Sequence, residues 1–445
     1  MTGADVSAHQ FRIAVQLPDG TELPVGTLSE DQLGASRLPT ATFRYDADYL
    51  IAKGAYALSP DLPLATGPLR PAQGRTVLGA FGDAMPDDWG RRVMRRGDTQ
   101  PRTALDFLAG VRDRHRQGAI HVLKDGVPVA SGTGPDFEHH DALLLKWMNA
   151  ALAFDAGTET DEQAATLIEA GTSAGGARPK VVIEHNNGLR IVKFPRSTEL
   201  DNHMAWEGMA LELARRSGAE VPDFWVPRLG ERLGLMVERF DRAPDGRRVG
   251  YISANTLMQK RDEDRADYTT LVEDMTEVSA APHRDAQELF RRIALSILLN
   301  NVDDHMRNHG FLRDPRGWGL APLFDIEPSR ELGRTDATPI TASSSGVDRD
   351  IRELADNAET FLLTHSEAAR VIAEVELGTR EWANVAVGFG IHPDQIPVWG
   401  RALDNVNRGR ARAMEAHAKE STRPTPPRAP KGGRTGGRFT SRDAN

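Results

Sequence analysis

The chain has 445 residues, 39% of them hydrophobic and 27% charged, with a formal net charge of −9. That length exceeds one ordinary core, so two to three domains are expected, and no apolar run is long enough to span a bilayer. Cysteine is absent, which excludes disulfides, thiolate zinc sites and a cysteine nucleophile and leads us to expect a cytoplasmic protein.

The opening "MTGADVSAHQ" lacks a basic stretch followed by an apolar one, the pattern of a secretory signal. "FRIAVQL" (11–17) alternates as a strand does, and "PDG" (18–20) is a turn signal. "ATFRYDADYL" alternates again, and "YALSPDLPLATGP" is broken by prolines and reads as loop. "MPDDWGRRVMRR" begins with proline and two acids and continues basic, the charge order of a helix start. "TALDFLAGVRD" is a second helix. "GAIHVLKDGVPV" returns to strand with "DG" as its turn. No internal repeat is seen.

From Asp141 the pattern turns helical, in "DALLLKWMNAALAF" and then "TDEQAATLIEA". "GTSAGGARPK" (171–180) is a Gly-rich loop. "VVIEHNNGLRIVKFP" predicts a hairpin, since "NNG" accepts the positive φ of a tight turn. "DNHMAWEGMALELARRSG" is a helix closed by Gly218. "FWVPRLGERLGLMVERFDR" reads as two strands. After about residue 255 the chain is mostly helical, apart from a hairpin in "GFLRDPRGWGLAPLFD". The tail beyond Ser421 carries Arg423, Arg428, Lys431, Arg434, Arg438 and Arg442 against Asp443. It reads as a disordered, solubilising segment, with contact to nucleic acid or an acidic partner as the alternative. The body is therefore acidic, which argues against a dedicated nucleic-acid binder.

Phosphoryl transfer requires a flexible cover over the phosphates, a cation, carboxylate or amide ligands for Mg²⁺, and a carboxylate beside the incoming hydroxyl. Each part has a candidate. Small residues in "TSAGGARPK" let backbone N–H groups approach phosphate oxygens, although the segment is not a Walker A loop; a plain surface loop is the bland alternative. Lys193 ends the strand "LRIVKF" beside Ile191 and Val192. It either snorkels to solvent or is held by a carboxylate of the next helix, Glu207 first and Glu212 second. Asp303 and Asn308 sit five residues apart around Arg307, and Asp325 follows the hairpin, after Leu323 and Phe324. A carboxylate and an amide on one loop, with a second carboxylate nearby, suit Mg²⁺. Asp304 and His305 are read as turn residues and not as a transition-metal pair, and a Ser-His-Asp hydrolase is set aside.

These segments, "GTSAGGARPK", "LRIVKFP", "LMVERFDR", "NNVDDHMRNHGFL" and "LFDIEPS", resemble in order and spacing the HipA family of bacterial toxin kinases, over roughly 1–420. "FRYDADYL…YALSPDLPL" and "MPDDWGRRVMRR" resemble that family's small leading domain. The resemblance implies an α+β, protein-kinase-like two-lobe fold with a β-rich amino-terminal subdomain and a mainly helical carboxy-terminal lobe. It divides the chain at 1–128, 129–255 (the ATP-binding lobe), 256–420 and a basic tail, 421–445. It implies a Ser/Thr protein kinase using ATP and Mg²⁺. Asp303 would be the catalytic base and Asn308 and Asp325 the metal ligands. ATP would be held by Thr172, Ser173, Ala174, Gly175, Gly176, Ala177, Lys193, Glu238, Phe240 and His305. Ser173, or the adjoining Thr172, would be autophosphorylated as an off switch. Expected partners are a small helix-turn-helix antitoxin (HipB-like), through which DNA is reached, and a protein substrate such as an aminoacyl-tRNA synthetase. No membrane is expected. Two other readings stand beside it: a catalytically silent, nucleotide-binding corepressor, and a small-molecule kinase.

Overall fold

The computed structural model describes residues 10–31, 39–96, 98, 101–131, 140–170, 177–185, 188–199, 202–333 and 337–421. The alternating amino-terminal segments are strands. β1 (Gln10–Gln16) and β2 (Glu22–Asp31) form a hairpin, with Gly20 at φ +90° in the turn and Asp19 accepting from the Thr21 N–H at 2.9 Å. β3 (Thr40–Tyr45) pairs with β2. The alternation in "ATFRYDADYL" suggests a longer strand, but it stops at Tyr45 and a helical turn, α1 (Ala47–Leu50), follows. The reason is the tyrosine spacing: Tyr45 and Tyr49 stack at 5.5 Å, a same-face contact four residues apart that an extended chain cannot reach.

Three short helices come next: α2 (Gly79–Asp83), α3 (Asp88–Arg95) and α4 (Ala104–Gly110). Asp87 caps α3 by accepting from the Gly90 N–H at 2.7 Å, and Thr103 and Asp106 form a capping box on α4. β4 (Ile120–Lys124) and β5 (Val127–Pro128) complete a five-stranded antiparallel sheet in the order β3-β2-β1-β4-β5.

Helices α5 (His140–Ala156) and α6 (Asp161–Ala170) precede the hairpin of β6 (Lys180–His185) and β7 (Gly188–Lys193). Asn186 and Asn187 of its turn lie outside the described residues. α7 (His203–Arg216) ends before Gly218, at φ +78°. The stretch read as two strands holds four short ones: β8 (Phe224–Trp225), β9 (Arg228–Leu229), β10 (Arg232–Leu233) and β11 (Leu235–Glu238). Pro227 removes a ladder donor and Gly230 turns back at φ +64°, so β9 and β10 form a separate ribbon. The main sheet runs β6-β7-β11-β8.

The remainder is helical around one small sheet, as expected. β12 (Tyr251–Ser253), α8 (Ala254–Leu257), α9 (Tyr268–Val278) and α10 (Pro282–Leu298) lead to the hairpin β13 (Gly310–Asp314) and β14 (Gly317–Leu320). Then follow α11 (Ile351–Asp356), α12 (His365–Thr379), α13 (Trp382–Gly388), α14 (Ile396–Leu403) and α15 (Val406–Ser421). No helix among the described residues is long and apolar enough to cross a membrane.

One continuous core joins Phe43 and Phe81 of the amino-terminal region to Trp206, Leu295 and Trp399, the two indoles stacking at 3.8 Å. A second core gathers Trp89, Trp147, Phe154, Val192 and Phe194. Where the amino-terminal region meets the segment after β11, the contact is charged and buried. Arg239 donates to the His115 carbonyl at 2.6 Å and to both oxygens of Asp241 at 2.8 and 2.6 Å. Arg242 and Arg248 donate to the Arg116 carbonyl at 2.9 and 3.0 Å, and Asp241 accepts from the Gly118 N–H at 2.8 Å. Buried charges persist only when paired in this way.

The His115 ring sits in this seam. Burial, and then the positive charges of Arg239, Arg112, Arg242 and Arg114, hold its pKa down to about 3, against 6.5 ordinarily. The unfolded histidine takes up a proton below about 6.5 and the folded one does not until about 3. This residue's effect on stability is therefore neutral above that window, and stability is lost as pH falls through it, by about 1.4 kcal/mol per pH unit. Urea unfolding between pH 7 and pH 4 should accordingly show a shallower loss for His115→Gln than for the parent chain.

Candidate active site

A cavity of about 720 Å³ is lined by Ile191, Val237 and Phe240 on its apolar side and by Lys193, Asp303, Asn308 and Asp325 on its polar side. These side chains come from four separate stretches of sequence. β7 ends on Lys193 and pairs with β11, in register Leu235 opposite Lys193 and Glu238 opposite Arg190. That pairing carries Glu238 and, just beyond it, Phe240 to the cavity wall, where the Phe240 ring lies 5.4 Å from Phe324.

Lys193 is buried and does not snorkel. Its ammonium bonds both Glu207, on α7, and Asp325. Burial opposes its charge, but the two carboxylates outweigh that and raise its pKa. Burial likewise pushes Glu207 up, while for Asp325 the attraction of Lys193 prevails over burial and lowers it. Glu212 is not the partner. One helical turn and a third further on, it faces out and accepts from Arg216 at 2.8 Å.

Asp325 is placed by unusual backbone, at φ +53°. Aspartate tolerates this left-handed region better than most residues. Leu323 and Ile326 on either side are buried, whereas Phe324 is half-buried and lines the cavity. The loop is tied down two residues later by Glu327, which accepts from Arg178 at 3.1 Å; Arg178 also donates to Glu199 at 2.6 Å.

The loop after α10 separates two adjacent aspartates by role. Asp303 points outward, its side chain 64% exposed, with His305 Nε2 at 3.8 Å. Asp304 turns inward and is an anchor. It accepts from Tyr268 Oη at 2.6 Å and Arg349 Nη1 at 2.7 Å, meets His309 Nε2 at 3.3 Å, and takes the Ser296 hydroxyl. Burial disfavours its charge, yet His309 and Arg349 hold its pKa well below the usual carboxylate range. His309 stands four residues after His305, a spacing the sequence reading overlooked as a possible ligand pair. It faces Asp304 in the interior while His305 lines the cavity, so the two imidazoles do not converge. Among the described residues no group of three or more His or acidic side chains is arranged to hold a metal ion.

Asn308 is buried and donates from Nδ2 to the Asp303 carbonyl at 2.8 Å. That bond fixes the amide orientation and leaves Oδ1 as the available acceptor. With the partly exposed Asp325 carboxylate (22%), it supplies two hard oxygen donors in one cavity, the donor chemistry that Mg²⁺ prefers when it keeps several waters.

Thr172, Ser173, Ala174, Gly175 and Gly176 lie outside the described residues. Ala177 lines the cavity. Gly171–Gly175 does spell G-x-S-x-G, but a nucleophile elbow runs from strand to helix, and here helix α6 precedes and strand β6 follows. The sequence reading missed Arg178, Glu327, Lys180 and the cavity-lining Asp83, Asp87 and Arg91 from the amino-terminal region. Spacing along the chain gave no signal for these.

Comparison with known proteins identifies the family. The model of the HipA-like C-terminal domain matches residues 172–382, and that of the HipA N-terminal domain matches 20–123. The chain belongs to the HipA family. A protein of Sinorhizobium fredii named "Putative kinase Y4mE" is 26% identical over 371 residues, covering 76% of this chain and 82% of its own. The HipA of Shewanella oneidensis, solved with HipB and its operator DNA, superposes with a TM-score of 0.62 at 15% identity, over 92% of this chain and 97% of its own. The likeness shows that the fold is that of HipA.

Removing the Asp304 carboxylate leaves Arg349 buried without its counter-charge. Asp304→Ala should lose about 3–5 kcal/mol of stability, read by denaturant unfolding.

Proposed function

We propose that this protein is a kinase that transfers the γ-phosphate of ATP to a serine or threonine of another protein. The observation that carries this reading is the convergence of Lys193, Asp303, Asn308 and Asp325 on one cavity, with Lys193 held between Glu207 and Asp325. Ile191, Val237 and Phe240 offer an apolar wall for adenine, and the Glu238 segment an edge for its hydrogen bonds. Lys193 meets the α- and β-phosphates. Asp303, exposed at the cavity mouth, accepts the proton of the incoming hydroxyl. Asn308 and Asp325 would hold Mg²⁺, which supplies charge neutralisation at the phosphate oxygens. His305, at 3.8 Å from Asp303, lies beside the base and lines the same cavity.

Family membership and the name of the Sinorhizobium relative support phosphoryl transfer. Solution of the Shewanella protein with HipB and operator DNA supports a small DNA-binding antitoxin as partner, so that DNA is reached through that partner. An aminoacyl-tRNA synthetase as substrate and phosphorylation of Ser173 as an off switch belong to the same proposal, as do a cytoplasmic setting and the domain division given above.

With ATP and Mg²⁺, the wild-type chain should label itself or a cellular protein. Asp303→Ala should reduce that labelling at least ~10²-fold without lowering the melting temperature, because the side chain is exposed. Phosphoproteomics of cells expressing either chain identifies the substrate. Equal labelling by the two chains would refute the assignment of the base. Growth inhibition and operator repression that survive in Asp303→Ala would favour the silent corepressor instead.

A further inference from the structure

The segment after β11 is gripped by the amino-terminal domain, and the grip encloses residues of the cavity wall. Among the described residues, Arg116, Arg239, Arg242 and Arg248 meet there and pair with two carboxylates, Asp113 and Asp241. Two carboxylates cannot serve four guanidinium groups, and a buried N–H without an acceptor is costly. Main-chain carbonyls of the stretch 114–118 take up donors that remain. Arg242 Nη2 donates to the carbonyls of Arg114 and Arg116, both at 2.9 Å. Arg239 donates to that of His115 at 2.6 Å and Arg248 to that of Gly118 at 2.9 Å. Arg242 joins the two sides, because its Nη1 also donates to the Asp241 carbonyl at 2.8 Å and to Asp241 Oδ2 at 2.9 Å. Its side chain is 9% exposed and does not line the cavity. Phe240, between Arg239 and Asp241, does line it, and so does Gln117, inside the gripped stretch. A planar, rigid fork bonded to backbone on both sides leaves little freedom in the spacing of these two wall residues.

We propose that Arg242 is a positioning residue for the purine base: it clamps the backbone of Asp241 to that of Arg114 and Arg116, and so fixes the spacing of Phe240 and Gln117 on the cavity wall. This rests on the kinase reading, in which Phe240 and the Glu238 segment meet adenine. Hydrogen bonds to a base edge weaken steeply as distance and angle depart from the optimum. With the clamp loosened, the wall reads that edge poorly, while the contacts to the phosphates are untouched.

The test is calorimetric titration of the full chain, in Mg²⁺, with ATP and with GTP, which differ only in the base. The wild-type chain should bind ATP at least about tenfold more tightly than GTP. Arg242→Met should weaken ATP binding about tenfold and GTP binding by less than about threefold, so that the preference shrinks. Arg242→Lys keeps a positive charge beside Asp241 but gives up the fork that spans to Arg114 and Arg116. It should narrow the preference at least about threefold, and it is measured even if the methionine variant does not fold. An unchanged ATP-to-GTP ratio in the lysine variant overturns the proposal, whether neither nucleotide is affected or both are weakened alike, as loss of a purely structural clamp would do. Equal affinity of the wild-type chain for the two nucleotides overturns it as well and leaves the kinase reading standing. A wild-type chain that binds neither nucleotide refutes the kinase reading and the proposal with it.

Discussion

The ion triad of Lys193, Glu207 and Asp325 is the interaction on which the rest of the cleft depends. A buried ammonium is tolerated only with opposite charge close by, and here that charge comes from two directions. Glu207 arrives on α7, packed beneath the four-stranded sheet, and Asp325 arrives from the loop after the β13–β14 hairpin. The lysine therefore fixes the distance between sheet and loop as well as supplying a cation. Arg178, bonded to Glu199 on one side and to Glu327 on the other, repeats the arrangement a few residues away. Charged pairs thus tie the loop of Asp325 and Glu327 to the segments around Lys193 and Arg178.

Around that triad, the loop that carries Asp303 and Asn308 is held from behind. Asp304 gathers Tyr268, Ser296, Arg349 and His309, and Arg349 donates also to the Asn301 carbonyl. Its neighbour Asp303 is thereby presented to the cavity on a backbone that is fixed. Adjacent aspartates with opposite orientation give one buried anchor and one carboxylate turned to the cavity. The division follows from their surroundings and not from residue type, because polar groups satisfied inside a protein rigidify whatever carries them.

Local signals made much of this legible in the sequence. Alternation found β1 and the β6–β7 hairpin, acid-then-base order found α3, and the Asp303–Asn308 spacing with Asp325 beyond it found the polar wall of the cavity. The failures share a physical cause. Four short strands were merged into two because Pro227 and Gly230 break a ribbon that reads as continuous apolar sequence. Glu207 ranked ahead of Glu212 as the lysine's partner, and Lys193 does bond Glu207; the orientation of α7 relative to the sheet is what decides it. Asp87, Arg178 and Glu327 carried no periodic signal at all; each acquires its role from a partner at least 21 residues distant, as in the pairing of Arg178 with Glu199. Charged contacts between remote segments are tertiary facts, and local propensity does not encode them.

The left-handed backbone of Asp325, at φ +53°, bears on how mutagenesis of this cleft should be interpreted. For most L-residues that conformation costs about 1–2 kcal/mol. An alanine there would change two things together, deleting an oxygen donor and straining the loop that presents it. Asparagine accepts the same torsion and nearly the same volume, so it separates loss of charge from loss of shape. Position 325 can therefore be occupied comfortably by few side chains, and natural drift at this point of the loop is confined by backbone geometry before chemistry imposes any demand.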